Sequence, residues 1–154
     1  MKRLKIISGG QTGVDRAALD AALVLGLPCG GFVPKGRLAE DGIIDSKYPM
    51  REIERPDYIE RTLKNVQAAD ATLIIAQGGL TGGTQMTVDF ARDEGQPHVV
   101  IDLRKGTPSQ WVKQIRKFLA AANPKVLNVA GPRESLRPGI YQAALDLLVE
   151  AWKD

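Results

Sequence analysis

Two glycine-rich segments carry the clearest chemical signal in the chain: Gly9-Gly10-Gln11-Thr12-Gly13 and Gly78-Gly79-Leu80-Thr81-Gly82-Gly83-Thr84. Each directly follows a short apolar run and opens onto a helical pattern. Glycine lets the backbone take positive φ and lets a ligand come close, while unpaired first-turn amides and the helix dipole favour an anion. The expected occupant is a phosphate, held by the amides of Gly9, Gly10, Gly13, Gly79, Gly82 and Gly83 and the hydroxyls of Thr12 and Thr84. Gln11, Gly78 and Thr81 belong to the same two loops. The alternative is that these glycines serve only tight turns; a matched pair of loops weighs against it. Neither is a standard motif, because Val14 follows Gly13 where a P-loop needs Lys, and Gly10 to Gly13 supplies only part of a dinucleotide fingerprint. ATP hydrolysis and hydride transfer lose ground accordingly.

Other candidates lie in two further loops. Lys35 and Arg37 can close over an anion, Arg37 with a bidentate grip, and Glu40 and Asp41 can receive ring or sugar hydrogens. The alternative for this mixed-charge run is solvated surface. In Gly131-Pro132-Arg133-Glu134-Ser135, Arg133 and Ser135 either contact the ligand or pin the last helix. His98 and Cys29 open strands and read as packed residues, outside the site.

The elements that position these loops alternate between short apolar runs and helical patterns, the pattern of a parallel sheet with helices on both faces. Five strands are expected: Leu4 to Ser8, Cys29 to Val33, Ala71 to Ala76, His98 to Asp102 and Val126 to Ala130. Their continuous hydrophobicity predicts burial on both faces. The first helix is expected from Gly13 to Leu25, with Thr12 and Asp15 spaced as a capping box and Gly26 and Pro28 as the stop. Asp57 and Glu60 mark the second, with Ile59, Leu63 and Val66 on one face. Thr84 is the expected cap of the third, Thr107-Pro108 with Gln110 opens the fourth, and the last begins near Gly139. Residues 34–56 are too long for an ordinary connection and read as a lid or ligand-binding loop. With strand order 2-1-3-4-5, both glycine loops flank the reversal point of the sheet, where ligands collect; 3-2-1-4-5 is the alternative order.

Composition bounds the rest. A chain of 154 residues with 44% apolar residues predicts a single domain. One cysteine excludes an intrachain disulfide and a cysteine-rich metal site, and no protein-ligated metal is expected. The basic start, Met1 to Lys5, leads into too short an apolar run for a signal peptide, and nothing approaches the roughly 20 apolar residues of a membrane span. A cytoplasmic setting is expected. The net charge of +3 is scattered and does not imply nucleic acid.

The longer motifs carry a resemblance. Gly9 to Asp20, Pro34-Lys35-Gly36-Arg37 with Glu40-Asp41-Gly42, Asp70 to Ile74 with Gly82-Gly83-Thr84, and Asn128 to Ser135 together resemble the "putative molybdenum carrier" family, in order and over almost the whole chain. The resemblance implies a Rossmann-like three-layer α/β/α fold with a mainly parallel sheet, and binding of the molybdenum cofactor (molybdopterin), a phosphate-bearing pterin, or of a nucleotide. More distantly the chain is similar to nucleotide phosphoribohydrolases labelled lysine decarboxylases, whose second loop reads Pro-Gly-Gly-x-Gly-Thr-x-x-Glu. Here Gln77 replaces the proline and Thr87 stands at the glutamate position. Threonine cannot supply the carboxylate that such chemistry uses. Asp89, two residues further on, can substitute only if the helix is displaced, and Asp15 and Asp41 are the other carboxylates able to reach the cleft. A binding or carrier protein is therefore expected ahead of a hydrolase, with a nucleotide-sensing module, oligomeric through its helix faces, as a third possibility.

Overall fold

The computed structural model describes residues 4–55 and 57–154; Met1, Lys2, Arg3 and Pro56 lie outside the described residues. The order begins β1 (Lys5–Ile7), α1 (Val14–Leu25), β2 (Cys29–Gly30) and β3 (Phe32–Val33). A small hairpin, β4 (Leu38–Ala39) and β5 (Gly42–Ile43), precedes β6 (Arg51–Glu52) and α2 (Tyr58–Gln67). Then come β7 (Ala71–Ala76), α3 (Gly82–Asp93), β8 (His98–Asp102), α4 (Pro108–Ala122), β9 (Val126–Ala130) and α5 (Ile140–Trp152).

Five strands, β2-β1-β9-β7-β8, form one sheet in which every pairing is parallel. All six residues of β7 are buried, as a strand covered on both faces requires. The pleat divides its side chains: Leu73 and Ile75 join the main apolar core with α1, α4 and α5, while Thr72 and Ile74 face the α2 and α3 layer. Small residues, Ala17, Ala18, Ala21 and Ala22 on α1 with Ala144 and Ala151 on α5, let these two helices pack closely.

The α/β/α layers and the all-parallel sheet are as expected, but the strand order is not simply either of those proposed. Numbered along the chain, the sheet strands run 2-1-5-3-4, because β9 enters between β1 and β7, pairing Ile6 with Leu127 on one side and Leu73 with Val129 on the other. The Asp70 carboxylate fixes its entry by accepting from the amides of Lys125 and Val126, each at 2.9 Å. Counted from β9 as the first strand, the spatial order is 3-2-1-4-5, that of a doubly wound sheet whose first β-α unit has moved to the end of the chain.

Local differences have local causes. The expected strand from Cys29 to Val33 splits at Gly31, whose φ of 133° sets it against the Ser8 backbone and sends β3 to pair with β6 instead. Thr12 and Asp15 form no capping box: the N-cap of α1 is Gly13, without a side-chain cap, and Thr12 is engaged elsewhere. Thr84 is not a cap but lies inside α3, whose N-cap is Thr81. The stop at Gly26 is as expected, in the left-handed region.

The capping box of α4 is complete, with Thr107 Oγ1 accepting from the Gln110 amide and Gln110 Oε1 accepting from the Thr107 amide. Thr107→Ala is expected to cost about 1 kcal/mol of stability, measurable as a fall in the urea midpoint at unchanged slope.

Within residues 34–55, Ile44 and Tyr48 anchor the segment to α1. Val33, Ile44 and Tyr48 pack with Leu19 in a second apolar cluster. No helix of the described residues is long and apolar enough to cross a membrane.

Candidate functional site

A crevice of about 200 Å³ opens at the carboxyl ends of three adjacent strands, β1, β9 and β7. Its walls are the loops after those strands, the first turn of α3, and one face of α2. Gly9 and Gly82 both line this space although β9 separates their strands.

The two loops differ in what they leave free. In the first, the Gly10 amide donates to Ser8 Oγ (3.2 Å), the Gln11 amide to Asp15 Oδ2 (3.4 Å) and the Thr12 amide to Gln11 Oε1 (3.1 Å). Gly13, with φ 77°, lies against the Pro132–Glu134 backbone, where a methyl group would collide with the Pro132 carbonyl. The Glu134 amide donates to Thr12 Oγ1 (3.2 Å), and Thr12 in turn donates to Glu40. Most of the first loop is thus a joint to its neighbours, with Gly9, Gln11 and Asp15 left on the crevice wall.

The second loop is open. Thr81 makes no side-chain cap, and the N–H groups of Gly82 and Gly83, as first-turn positions, have no acceptor within the helix. Gly82 faces free space, Gly83 lies beneath the Tyr58 hydroxyl, and Thr81 and Thr84 line the same crevice. Gly78 and Gly79 are turned away: the Gly78 amide donates to Asp102 Oδ1 (3.0 Å), and both glycines border a separate depression with Arg104 and Lys105.

The lid candidates do not reach the crevice. Arg37 donates to the carbonyls of Ile44, Asp45 and Tyr48, fastening its own loop, while Lys35 is exposed. Asp41 forms a bidentate pair with Arg16 (2.9 and 3.2 Å) over a second depression outside the crevice, which also includes Thr12 and Ser135. Glu40 holds the hairpin to the last loop by accepting from the Ser135 amide (3.1 Å) and hydroxyl (2.5 Å). These bonds keep the Glu40 carboxyl below its ordinary range. Arg133 lines the crevice from that loop, with its side chain 54% exposed. His98 sits at the other end of β8, its Nδ1 3.0 Å from the Gln96 carbonyl oxygen.

Sequence reasoning missed the α2 wall. Tyr58, Arg61, Thr62 and Asn65, at helical spacing, all face the crevice. Ile59, expected on the buried stripe, is 53% exposed, while Thr62 and Asn65 are buried beside Val66. Asn65 ties the helix to β3, accepting from the Phe32 amide (2.8 Å) and donating to its carbonyl (3.0 Å). Asp57 caps its start by accepting from the Ile59 amide (2.8 Å). A polar stripe at spacing 58, 61, 62 and 65 was the available signal.

Arg61 is the cation that this helix delivers. Its side chain is 11% exposed, Nη1 donates to the Gly9 carbonyl (3.1 Å), and the guanidinium lies over the Tyr58 ring, 5.1 Å from its centre. Asp15 Oδ2 stands 3.6 Å from Nη1. Burial pushes the Asp15 carboxyl up to about 6, against the opposing pull of Arg61, the Gln11 amide and Arg16. The remaining polar wall residues are already engaged: Thr87 Oγ1 donates to the Gly83 carbonyl (2.9 Å), and Asn128 Nδ2 to Thr72 Oγ1 (3.4 Å). Among the described residues no group of three or more His, Cys, Asp or Glu is placed to hold a metal ion.

An open parallel sheet covered by helices, with a polar, glycine-walled crevice at its carboxyl edge, defines a Rossmann-like α/β protein. The chain belongs to the circularly permutated YpsA SLOG family, which it matches over residues 6–152. The family's description agrees with the displaced β-α unit seen in the sheet order. Among solved structures, the chain is similar to a "putative molybdenum carrier protein" from Syntrophus aciditrophicus SB, at 45% identity and a TM-score of 0.95, over 98% of this chain and 96% of that one. Among curated proteins, none matches.

Proposed function

We propose that this chain is a carrier or binding protein for a small phosphorylated molecule of pterin or nucleotide type, the molybdenum cofactor first among them. The observation that supports this reading is convergence: Gly82 and Gly83, in the first turn of α3, and Arg61 line one crevice. A helix N-terminus and a buried guanidinium are both complementary to a phosphate. Asp15 on the same wall accepts N–H or O–H groups of a ring or sugar. The similarity to a protein named a molybdenum carrier supports the choice of cofactor.

The crevice is smaller than the roughly 300–1,000 Å³ of sites that enclose a drug-sized ligand. It therefore suits a phosphate and the group next to it, the remainder passing the exposed rim of Tyr58 and Leu136. With no cluster of metal-ligating side chains among the described residues, a molybdenum atom would rest on the cofactor's own donors. Here the chain's residues bind and orient; the cofactor supplies the metal chemistry.

Equilibrium binding of molybdenum cofactor and of nucleoside monophosphates to the purified protein tests this reading, with mass spectrometry of whatever copurifies. Failure to bind any phosphorylated compound ends it. Arg61→Gln is expected to weaken binding by about 10- to 100-fold, as loss of one charge-assisted hydrogen bond implies.

A nucleotide-processing enzyme is the second reading, and one observation favours it: of the three carboxylates considered, Asp15 alone lines the crevice, since Asp41 pairs with Arg16 outside it and Asp89 with Arg92 on the surface. Product formation from nucleoside monophosphates, lost in Asp15→Asn, would support it over the carrier reading. As the third reading, a cytoplasmic, self-associating sensor predicts an elution volume in size exclusion that shifts with nucleotide.

A further inference from the structure

Arg61 is under-bonded for a buried cation. A guanidinium has five N–H donors, and removing its charge from water is costly unless those donors are satisfied. Here Nη1 donates to the Gly9 carbonyl, while Nε is buried with no hydrogen-bond partner among the described residues. Asp15 Oδ2, at 3.6 Å, is close enough for charge attraction but beyond a good hydrogen bond. The guanidinium packs so closely on Gly9 that any side chain there would displace it, and Tyr58 covers one of its faces. It is therefore held at the crevice wall with bonding capacity unspent.

The charged and titratable groups around Asp15 are few. Arg61 and Tyr58 face its crevice from α2, Arg16 is one residue along its own helix, and Arg133 borders the crevice from the loop after β9. The first turn of α3, Gly82 to Gln85, contributes no charged side chain. Arg61 is thus the principal counter-charge of Asp15, and Arg16 is largely committed to Asp41.

We propose that Asp15 and the ligand's oxyanion compete for Arg61, so that loading the site is accompanied by proton uptake at Asp15. This rests on the phosphate-binding reading above and adds the regulation of that same site. An oxyanion in the crevice that Gly82 and Gly83 line draws on the guanidinium charge of Arg61 and adds a second negative charge to the space that Asp15 also lines. Two anions sharing one cation in a dry crevice favour the neutral carboxylic acid. The proton comes from solvent, and the protonated carboxyl then offers an O–H to the ligand where it had only accepted. Burial has already brought the Asp15 carboxyl to about 6, so the proton is taken up near neutral pH. The carrier would load more tightly at slightly acidic pH and release as pH rises.

The test is an NMR titration of the whole protein, reading the Asp15 side-chain carboxyl ¹³C shift against pH, alone and with sulfate or AMP as probes. Sulfate is useful because it does not itself titrate across this range. The Gly82 and Gly83 amide resonances report occupancy independently. Occupancy is expected to raise the Asp15 midpoint by about one unit or more, and in Arg61→Gln the unloaded midpoint is expected to lie already above the parent's, because Arg61 is the cation that holds it down. Amides that shift on loading while the Asp15 midpoint stays put would overturn the proton coupling and leave the binding reading intact. Amides that respond to neither probe, nor to molybdenum cofactor, would overturn both.

Discussion

Gly13→Ala is expected to be the most damaging single methyl group that can be added near the site. Its cost has two parts: a backbone at φ 77° that an L side chain tolerates poorly, and a new carbon within the Pro132 carbonyl's contact radius. Strain of the first kind costs about 1–2 kcal/mol and overpacking of the second about 1–3. Backbone cannot rotate aside as a side chain can, so the two add, and a loss of about 2–5 kcal/mol is expected. Chemical denaturation of the variant beside Gly79→Ala checks the mechanism. Gly79 has negative φ and no atom near its missing Cβ, so its variant is expected within about 0.5 kcal/mol of the parent. Equal destabilisation of both would refute the account of Gly13 as the joint between the first and last loops.

The second large effect is a pH dependence of stability. The Asp15 carboxyl lies at about 6 in the folded protein against 3.8 ordinarily, so folding favours its protonated form. Its contribution to stability is full below about pH 4 and is lost as pH rises through 6. At about 1.4 kcal/mol per unit the loss approaches about 3 kcal/mol by pH 7.5. Other carboxyls work in the opposite sense: Glu40, Asp41 and Asp102 are all held below their ordinary range by hydrogen bonds, so their contributions disappear in acid. The difference between Asp15→Asn and the parent cancels those terms. The amide variant is expected to gain on the parent mainly between pH 4 and 6, by about 2 kcal/mol, and then to level off. A pH-independent difference would mean that Asp15 titrates in the folded state as it does in the unfolded one.

What the sequence shows and what it hides both follow from the kind of signal involved. Three strands, Ala71–Ala76, His98–Asp102 and Val126–Ala130, have the expected bounds, because apolar runs flanked by Gly, Pro or charge are local features. The α4 start is legible for the same reason, since Thr107, Pro108 and Gln110 act within one turn. Strand order is not local. Nothing in Val126 to Ala130 says that these residues pair with Lys5 to Ile7 rather than form an edge, and the expected order placed them there.

The site divides in the same way. Of the second glycine loop, Thr81, Gly82, Gly83 and Thr84 line the crevice while Gly78 and Gly79 border a separate depression, a division that depends on Asp102 and so is not a local feature. The first was misjudged because Thr12 and Gly13 spend their capacity on partners far along the chain, Glu40 and the Pro132–Glu134 backbone. The residue types at Lys35 and Arg37 suit an anion, but only the fold shows Arg37 donating to carbonyls of its own loop. Arg61 was overlooked because a search for apolar periodicity passes over a helix whose inward face is Thr62 and Asn65.

The insertion of β9 between β1 and β7 bears on how the molecule is made. During synthesis β2-β1 and β7-β8 leave the ribosome as separate pairs, each with an unfinished edge, and only the late-emerging β9 can bridge them. The walls of the crevice come from both halves and from the bridge itself. The crevice is therefore complete only once β9 has emerged and paired with both of its neighbours.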